Sequence, residues 1–386
     1  MLAPFSELAS GAAQSAAQAA AIALVTVLIC GPRAISWLGR RFREPNKSDS
    51  PRLAQLHAHK RATPTMGGLL ILAGLLAAEL ILGDWSNRLL HIAVFVVGAL
   101  ATIGAIDDWI KLATPRPGLR PRTKLLAVGI VSTLAAVALY EVQRSSGSAG
   151  GVWLPGTNQS VTLGVWWIPF AVLVLVGSAN AVNLTDGLDG LAAGCLAIAF
   201  AGLSVLCIVA DSNAWAANLG MPAGIGGEEL AVLAAAACGA TLGFLWYNRR
   251  PARVFMGDTG ALSLGGLLGM VALAGRLEVA LVLIGAVFVA EAASVILQVG
   301  SFKLRRKRIF RCAPLHHHFQ FLGWSERTTV TRFWWAGGVA ALTTLALIGA
   351  GAMVDRIEPW ERSDSGVTLP SAQRTASAGP LDRAER

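Results

Sequence analysis

Apolar positions along this chain neither alternate nor trace a single helical stripe. They come as continuous runs of about 20 residues, separated by short polar stretches. Runs of that length cross a bilayer as helices, because a spanning segment must satisfy its own backbone polar groups. Ten such helices are predicted, at about 18–38, 66–83, 89–106, 123–141, 164–182, 188–210, 229–246, 260–275, 278–300 and 333–354. The stretch 260–300 is the least sharply divided, since only Arg276 and Glu278 mark its turn. No repeat is evident, and the longest polar loop has about thirty residues. The expected class is therefore all-α: a polytopic membrane protein with one transmembrane domain over residues 1–354. A mixed-charge tail rich in Ser, Ala and Arg follows over 355–386 and is expected to be disordered.

Composition agrees with the pattern. Of 386 residues, 54% are hydrophobic and 14% charged, with mean hydropathy +0.57; a soluble domain carries about a quarter charged residues. The net charge of +9 changes meaning once its position is known. The five odd-numbered loops hold 23 lysines and arginines, with Lys124 counted to its loop, whereas the opposite loops hold Arg88, Arg144 and Arg276. The positive-inside rule puts the odd loops in the cytoplasm and both termini outside. Bilayer headgroups, not nucleic acid, are the partner this charge implies. The cysteines (Cys30, Cys195, Cys207, Cys238 and Cys312) form no C-x-x-C pair, and four lie in apolar runs, which reads as free, buried thiols. The N-terminus lacks a basic stretch before its apolar run, so that run is expected to be a span, not a leader.

Five polar clusters fall on the basic side. In KRATPTMGG (60–68), Lys60 and Arg61 precede the glycines that open the second helix, a setting suited to phosphate. In GAIDDWIKL (104–112), Asp107 and Asp108 are expected to end the third helix, where adjacent carboxylates oppose each other and the dipole; Lys111 offsets part of that charge. In NAVNLTDGLDGLAAG (180–194), helical spacing would bring Asn183, Asp186 and Asp189 to roughly one face, with Asp186 able to cap helix six. In YNRRPARVFMGDTGALSLGG (247–266), Asp258 lies at a helix start between Gly257 and Gly260, good geometry for Mg²⁺ against a phosphate. Asn248, Arg249, Arg250 and Arg253 beside it favour an anionic ligand. In APLHHHFQFLGW (313–324), three adjacent histidines suggest metal, yet they diverge on a helix and no ligand stands nearby at zinc spacing. Contacts to phosphate or sugar are at least as good a reading. Together these groups are the equipment of phosphoryl transfer, which works by positioning and charge neutralisation. A transporter would instead place charged pairs near mid-helix, where the chain offers mainly Glu291, for which a hydrogen bond within the helix bundle and a place along a lipid groove both stay open.

In order and content, KRATPTMGG, DDWIK, NAVNLTDGLDGL, VFMGDTG and APLHHHF resemble the phospho-N-acetylmuramoyl-pentapeptide transferases. These lie within the polyprenyl-phosphate N-acetylhexosamine-1-phosphate transferase superfamily. The resemblance runs from about residue 20 to 354, with Ala62 and Gln320 standing where the family usually has glycine and glutamate. It implies Mg²⁺-dependent transfer of a phospho-sugar-peptide from UDP-N-acetylmuramoyl-pentapeptide to undecaprenyl phosphate. The place implied is the bacterial cytoplasmic membrane, and a homodimer is implied by resemblance alone. Carried over by motif, Asp258 holds Mg²⁺ and Asp107 deprotonates or orients the lipid phosphate, with Asp108 in support. Lys60, Thr65, Asn180, Asn183, Asp186, Asp189 and Asn248 line the nucleotide and diphosphate pocket, and Phe255 stacks on uracil. His317 and His318 contact phosphates or sugar, while Lys111 and Lys124 neutralise phosphate charge. Direct attack by the lipid phosphate and a phospho-aspartate intermediate both stay open, the first being favoured. The roles of His316, Gln320 and Glu291 stay open too. The main alternative is transfer of N-acetylglucosamine-1-phosphate to the same lipid; HHHF and TPTMGG favour the muramoyl branch.

Overall fold

A computed structural model describes residues 11–42, 63–147, 149–157, 159–222 and 226–364, with side chains described through 350. The chain is helical almost throughout. In order come α1 (Gly11–Arg41), α2 (Gly68–Leu82), α3 (Arg88–Ala113), α4 (Pro121–Ser145), α5 (Trp167–Thr185), α6 (Leu191–Asp211), α7 (Asn213–Asn218) and α8 (Gly227–Asn248). Then follow α9 (Gly257–Ala274), α10 (Glu278–Ile284), α11 (Ala286–Arg305), α12 (Leu315–Phe321) and α13 (Glu326–Asp364). Nine of the described helices are long and apolar enough to cross a membrane, and the shorter α2 is the tenth apolar helix. The protein is an all-α polytopic membrane protein.

Two expectations change. The ninth predicted span, 278–300, breaks at Gly285 into α10 and α11, because glycine accepts the irregular backbone at low cost. The last helix starts earlier and ends later than the predicted 333–354; residues 365–386 of the expected tail lie outside the described residues. A small antiparallel hairpin, β1 (Gly151–Trp153) with β2 (Ser160–Thr162), closes the loop between α4 and α5.

At the centre stands α9, every side chain of which is buried from Thr259 to Ala274. It packs mainly on α3 and α5, while α8 packs on α1 and α6. The close approaches depend on missing side chains. A Cβ on Gly68 would stand 2.3 Å from the Gly260 backbone, and one on Gly104 would stand 2.3 Å from the Asp258 carbonyl oxygen. Large apolar side chains such as Leu126, Trp166, Leu173, Ile296, Trp335 and Leu342 are exposed around the outside, as a lipid-facing surface requires.

Hydrogen bonds tie all five odd-numbered loops into one end of the bundle. Phe255 N–H donates to the Pro64 carbonyl and Gly67 N–H to the Phe255 carbonyl, both at 2.8 Å. Asp258 N–H donates to Asp108, Gly190 N–H to Asn248 and Asp189 N–H to Glu326. The predicted polar clusters thus converge at the basic end.

Candidate active site

The site is built on the crossing of α3 and α9. Helix α3 runs on to Ala113, so Asp107 and Asp108 do not end it as expected; they sit well inside it, 2% and 1% exposed. The extra turns keep Lys111 on the same helix. Asp108 turns to the N-terminus of α9. Its carboxylate accepts from Asp258 N–H and Thr259 N–H, both at 3.0 Å, and from the Thr259 hydroxyl at 2.8 Å. Those N–H groups have no partner within their own helix, so Asp108 caps α9 from a neighbouring element and suits its dipole. Asp107 faces away, accepting from Leu119 N–H at 2.8 Å and pairing with Lys111 Nζ at 2.8 Å.

Asp258 is the meeting point. Lys111 Nζ lies 2.9 Å from one of its oxygens, and Asn183 Nδ2 donates to the same oxygen at 3.0 Å. Lys124 donates to the other. Asp107, Asp108 and Asp258 bring oxygens within 4.8 Å of one another. Carboxylates that close repel, and the two ammoniums between them offset the repulsion. Beside this cluster the Thr65 hydroxyl is buried without a hydrogen-bond partner, 3.0 Å from where a Gly257 Cβ would stand. Phe255 is half-buried on the strand-like segment paired to residues 64–67. Lys60 lies outside the described residues.

Asn183, Asp186 and Asp189 do not share one helical face. Helix α5 stops at Thr185, Asp186 takes its C-cap position with ψ 51°, and α6 begins only after Gly190. Asp186 therefore caps no N-terminus; Gly190, at φ 79°, holds the position before α6. Burial first, and then the negative charges of Asp258, Asp108 and Asp189, push the Asp186 carboxyl up to about 7. Asp189 is buried and accepts from Ala252 N–H at 3.1 Å, on the far side of the loop from Asn183. Asn248 is turned inward: it accepts from Gly190 N–H at 3.0 Å and donates to the Val254 carbonyl at 2.9 Å. It clamps two loops together instead of lining an open pocket. Asn180 spends its amide on the carbonyl of Val176, one turn back on α5, at 2.8 Å.

The three histidines lie on the two-turn helix α12 and take different partners, although the His316 and His317 rings stand with centroids 4.1 Å apart. His316 is buried, with Nδ1 at 3.2 Å and its N–H at 3.1 Å from one oxygen of Glu291. Its Nε2 lies against Gly187, where a Cβ would come within 2.3 Å. Glu291 thus fastens α12 to α11 and seats the His316 ring on the Asp186–Gly190 loop. His317 Nδ1 meets Gln320 Oε1 at 2.9 Å, and His318 Nδ1 accepts from Arg311 N–H at 3.1 Å. Among the described residues, no group of His, Cys, Asp or Glu other than the three aspartates is arranged to hold a metal ion.

Comparison with known proteins gives the same direction. Residues 90–276 match the family described as glycosyl transferase family 4, and residues 60–72 match signature 1 of the phospho-N-acetylmuramoyl-pentapeptide-transferases. A phospho-N-acetylmuramoyl-pentapeptide-transferase of Leptospira biflexa is 44% identical over 335 residues, covering 83% of this chain and 89% of that protein. Proteins of the same name from Pelobacter propionicus and Koribacter versatilis are 42% and 43% identical, each covering 84% of this chain and 90% of theirs. This chain belongs to the phospho-N-acetylmuramoyl-pentapeptide-transferase family. It is, accordingly, a multi-pass bacterial membrane protein.

In this member of the transferase family, the sequence motifs gather at one end of the bundle. The aspartates of DDWIK and VFMGDTG meet through side chains, with Lys111, Lys124 and Asn183 between them. What sequence reasoning missed is the supporting set: Glu326, Thr259 and His316 as the partner of Glu291. Glu291 carried a signal in being a charge inside an apolar run; Glu326 carried none. The three carboxylates are a hard, oxygen-only donor set that fits Mg²⁺ and would not select zinc.

Proposed function

We propose that this protein transfers phospho-N-acetylmuramoyl-pentapeptide from its UDP carrier to undecaprenyl phosphate, giving lipid I and uridine monophosphate for peptidoglycan synthesis. Family membership supports the reaction. The observation that carries the site is the buried meeting of Asp258 and Asp107 with Lys111 and Lys124. Asp258 and Asp107 are the residues to hold Mg²⁺, because Asp108 has both oxygens committed to the α9 backbone. When bound, the ion supplies charge neutralisation for the transferring phosphoryl group. Lys111 and Lys124, which neutralise the carboxylates, then turn to phosphate oxygens. Asp107 orients the lipid phosphate and takes its proton. An oxygen of that phosphate attacks the β-phosphorus of the nucleotide sugar, and the bond to the bridging oxygen breaks. Uridine monophosphate leaves with that oxygen and its electron pair.

Single-step attack is the reading favoured by the geometry around the aspartates, since both Asp108 oxygens accept from the start of α9 and Asp107 is paired with an ammonium. The loop charges support an active site facing the cytoplasm, with both termini outside, in the inner membrane. The homodimer rests on the family resemblance and is tested by native mass measurement in detergent.

The deciding experiment incubates purified protein with undecaprenyl phosphate and each UDP-sugar, with and without Mg²⁺. Uridine monophosphate release confined to the muramoyl-pentapeptide donor and to Mg²⁺ is the expected result. Release with UDP-N-acetylglucosamine instead would move the protein to the other branch. A phosphorylated aspartate trapped with the nucleotide donor alone would replace direct attack.

A further inference from the structure

At the same end of the bundle as the acidic cluster lies a cavity of about 840 Å³. The end of α8, the following loop and the start of α13 enclose it. Four arginines line it, Arg249, Arg250, Arg253 and Arg327, against two acids, Asp189 and Glu326. Both acids are already engaged in holding the walls. Asp189 accepts from Ala252 N–H, while Glu326 accepts from Asp189 N–H at 3.0 Å and pairs with Arg250 at 3.4 Å. The Arg249 guanidinium is stacked over Trp246 at 4.0 Å, which orders it without consuming its donors. Trp334 forms an apolar wall and is fixed by donating to the Gly190 carbonyl at 3.1 Å. The cavity therefore offers ordered cationic forks beside apolar surface, a combination that suits a ligand with carboxylates and aliphatic groups.

We infer that this cavity receives the carboxylate-bearing peptide of the donor substrate, an inference that rests on the function proposed above. The chain itself sets the distance. Arg253 and Asp258 are five residues apart, so their Cα atoms are at most about 18 Å from one another. A five-residue peptide spans a similar length, so a donor with its diphosphate at Asp258 can lay its peptide among the arginines. The loop Asp186–Gly190 divides the two compartments: Asn183 reaches the acidic cluster on one side and Asp189 the arginine cavity on the other.

The test measures kcat/KM for the pentapeptide donor and for the same donor with its peptide carboxylates amidated, in vesicles of zwitterionic and of anionic lipid. Arg253→Ala and Arg327→Ala are compared with Arg144→Ala, an exposed arginine at the opposite end. Wild type is expected to prefer the free-acid donor, and each cavity variant to reduce that preference by about tenfold, while Arg144→Ala keeps it. Arg327→Lys should recover part of it, and this variant answers the question if Arg327→Ala fails to fold. Equal losses for both donors would make the cavity a nucleotide or phosphate site, and losses seen only in anionic vesicles a headgroup site; either overturns the inference. A wild type that turns over neither donor refutes the proposed function instead.

Discussion

The two charged compartments at the basic end follow opposite rules. In the acidic one, carboxylates outnumber ammoniums, the groups are buried, and nearly every oxygen has a partner within the cluster. In the arginine cavity, cations outnumber acids, the guanidiniums reach solvent, and the acids are the groups tied into the wall. Buried charge needs compensation at short range, because its desolvation is costly; exposed charge can wait for a ligand. The first compartment is thus built to exchange one set of cations for another, the second to admit an anion. Both set aside a carboxylate to hold backbone N–H groups, Asp108 in one and Asp189 in the other.

That contrast can be broken at its centre. Asp258→Ala should lower Mg²⁺-dependent uridine monophosphate release by at least about a hundredfold, while circular dichroism and gel filtration stay native. Near-normal turnover would remove Asp258 from metal binding. Asp108→Ala should act on the fold as well. Losing a cap costs about 1–2 kcal/mol, and stranding the buried N–H groups of α9 adds about 1–3 kcal/mol. Its melting midpoint in detergent should fall clearly, and Asp108→Asn, which retains an acceptor, should fall less.

On the other side of the loop, Glu326→Gln should cost under about 1 kcal/mol through the half-exposed Arg250 pair, read as a small loss in melting midpoint. Asp186→Asn gives the most pH-dependent effect. With its carboxyl raised from 3.8 to about 7, Asp186 contributes stability that is full below about pH 4 and lost as pH rises through 7. The asparagine variant should therefore melt with less difference between pH 5 and pH 8 than wild type.

The spans were legible because lipid requires continuous apolar helices, and a 20-residue run admits few other readings. Their ends were less so. Nothing local shows that α3 continues past DDWIK, since the reason lies across the bundle, where Asp108 meets the start of α9. The site motifs were legible as a set, and Asp107, Asp258, Lys111 and Lys124 do converge. The direction of each side chain was not. The i, i+3, i+6 spacing of Asn183, Asp186 and Asp189 held only as far as α5 was helical, and the irregular turn from Asp186 to Gly190 carried the rest away. Asn248 looked like pocket lining because it is polar in a basic loop; its two amide ends instead answer two backbone groups that only the fold brings together.

Asp107 and Asp108 are neighbours on one helix, so their side chains point about 100° apart. One reads the backbone of α9 and the other faces the lysines. Turning α3 by a single residue about its axis would bring one of them into the other's place and swing the other a further 100° away, so both sets of contacts could not be kept. The pair works as a key for rotational register: α3 has only one angular setting in which both locks close, and that setting is the one that places Asp107 beside Asp258.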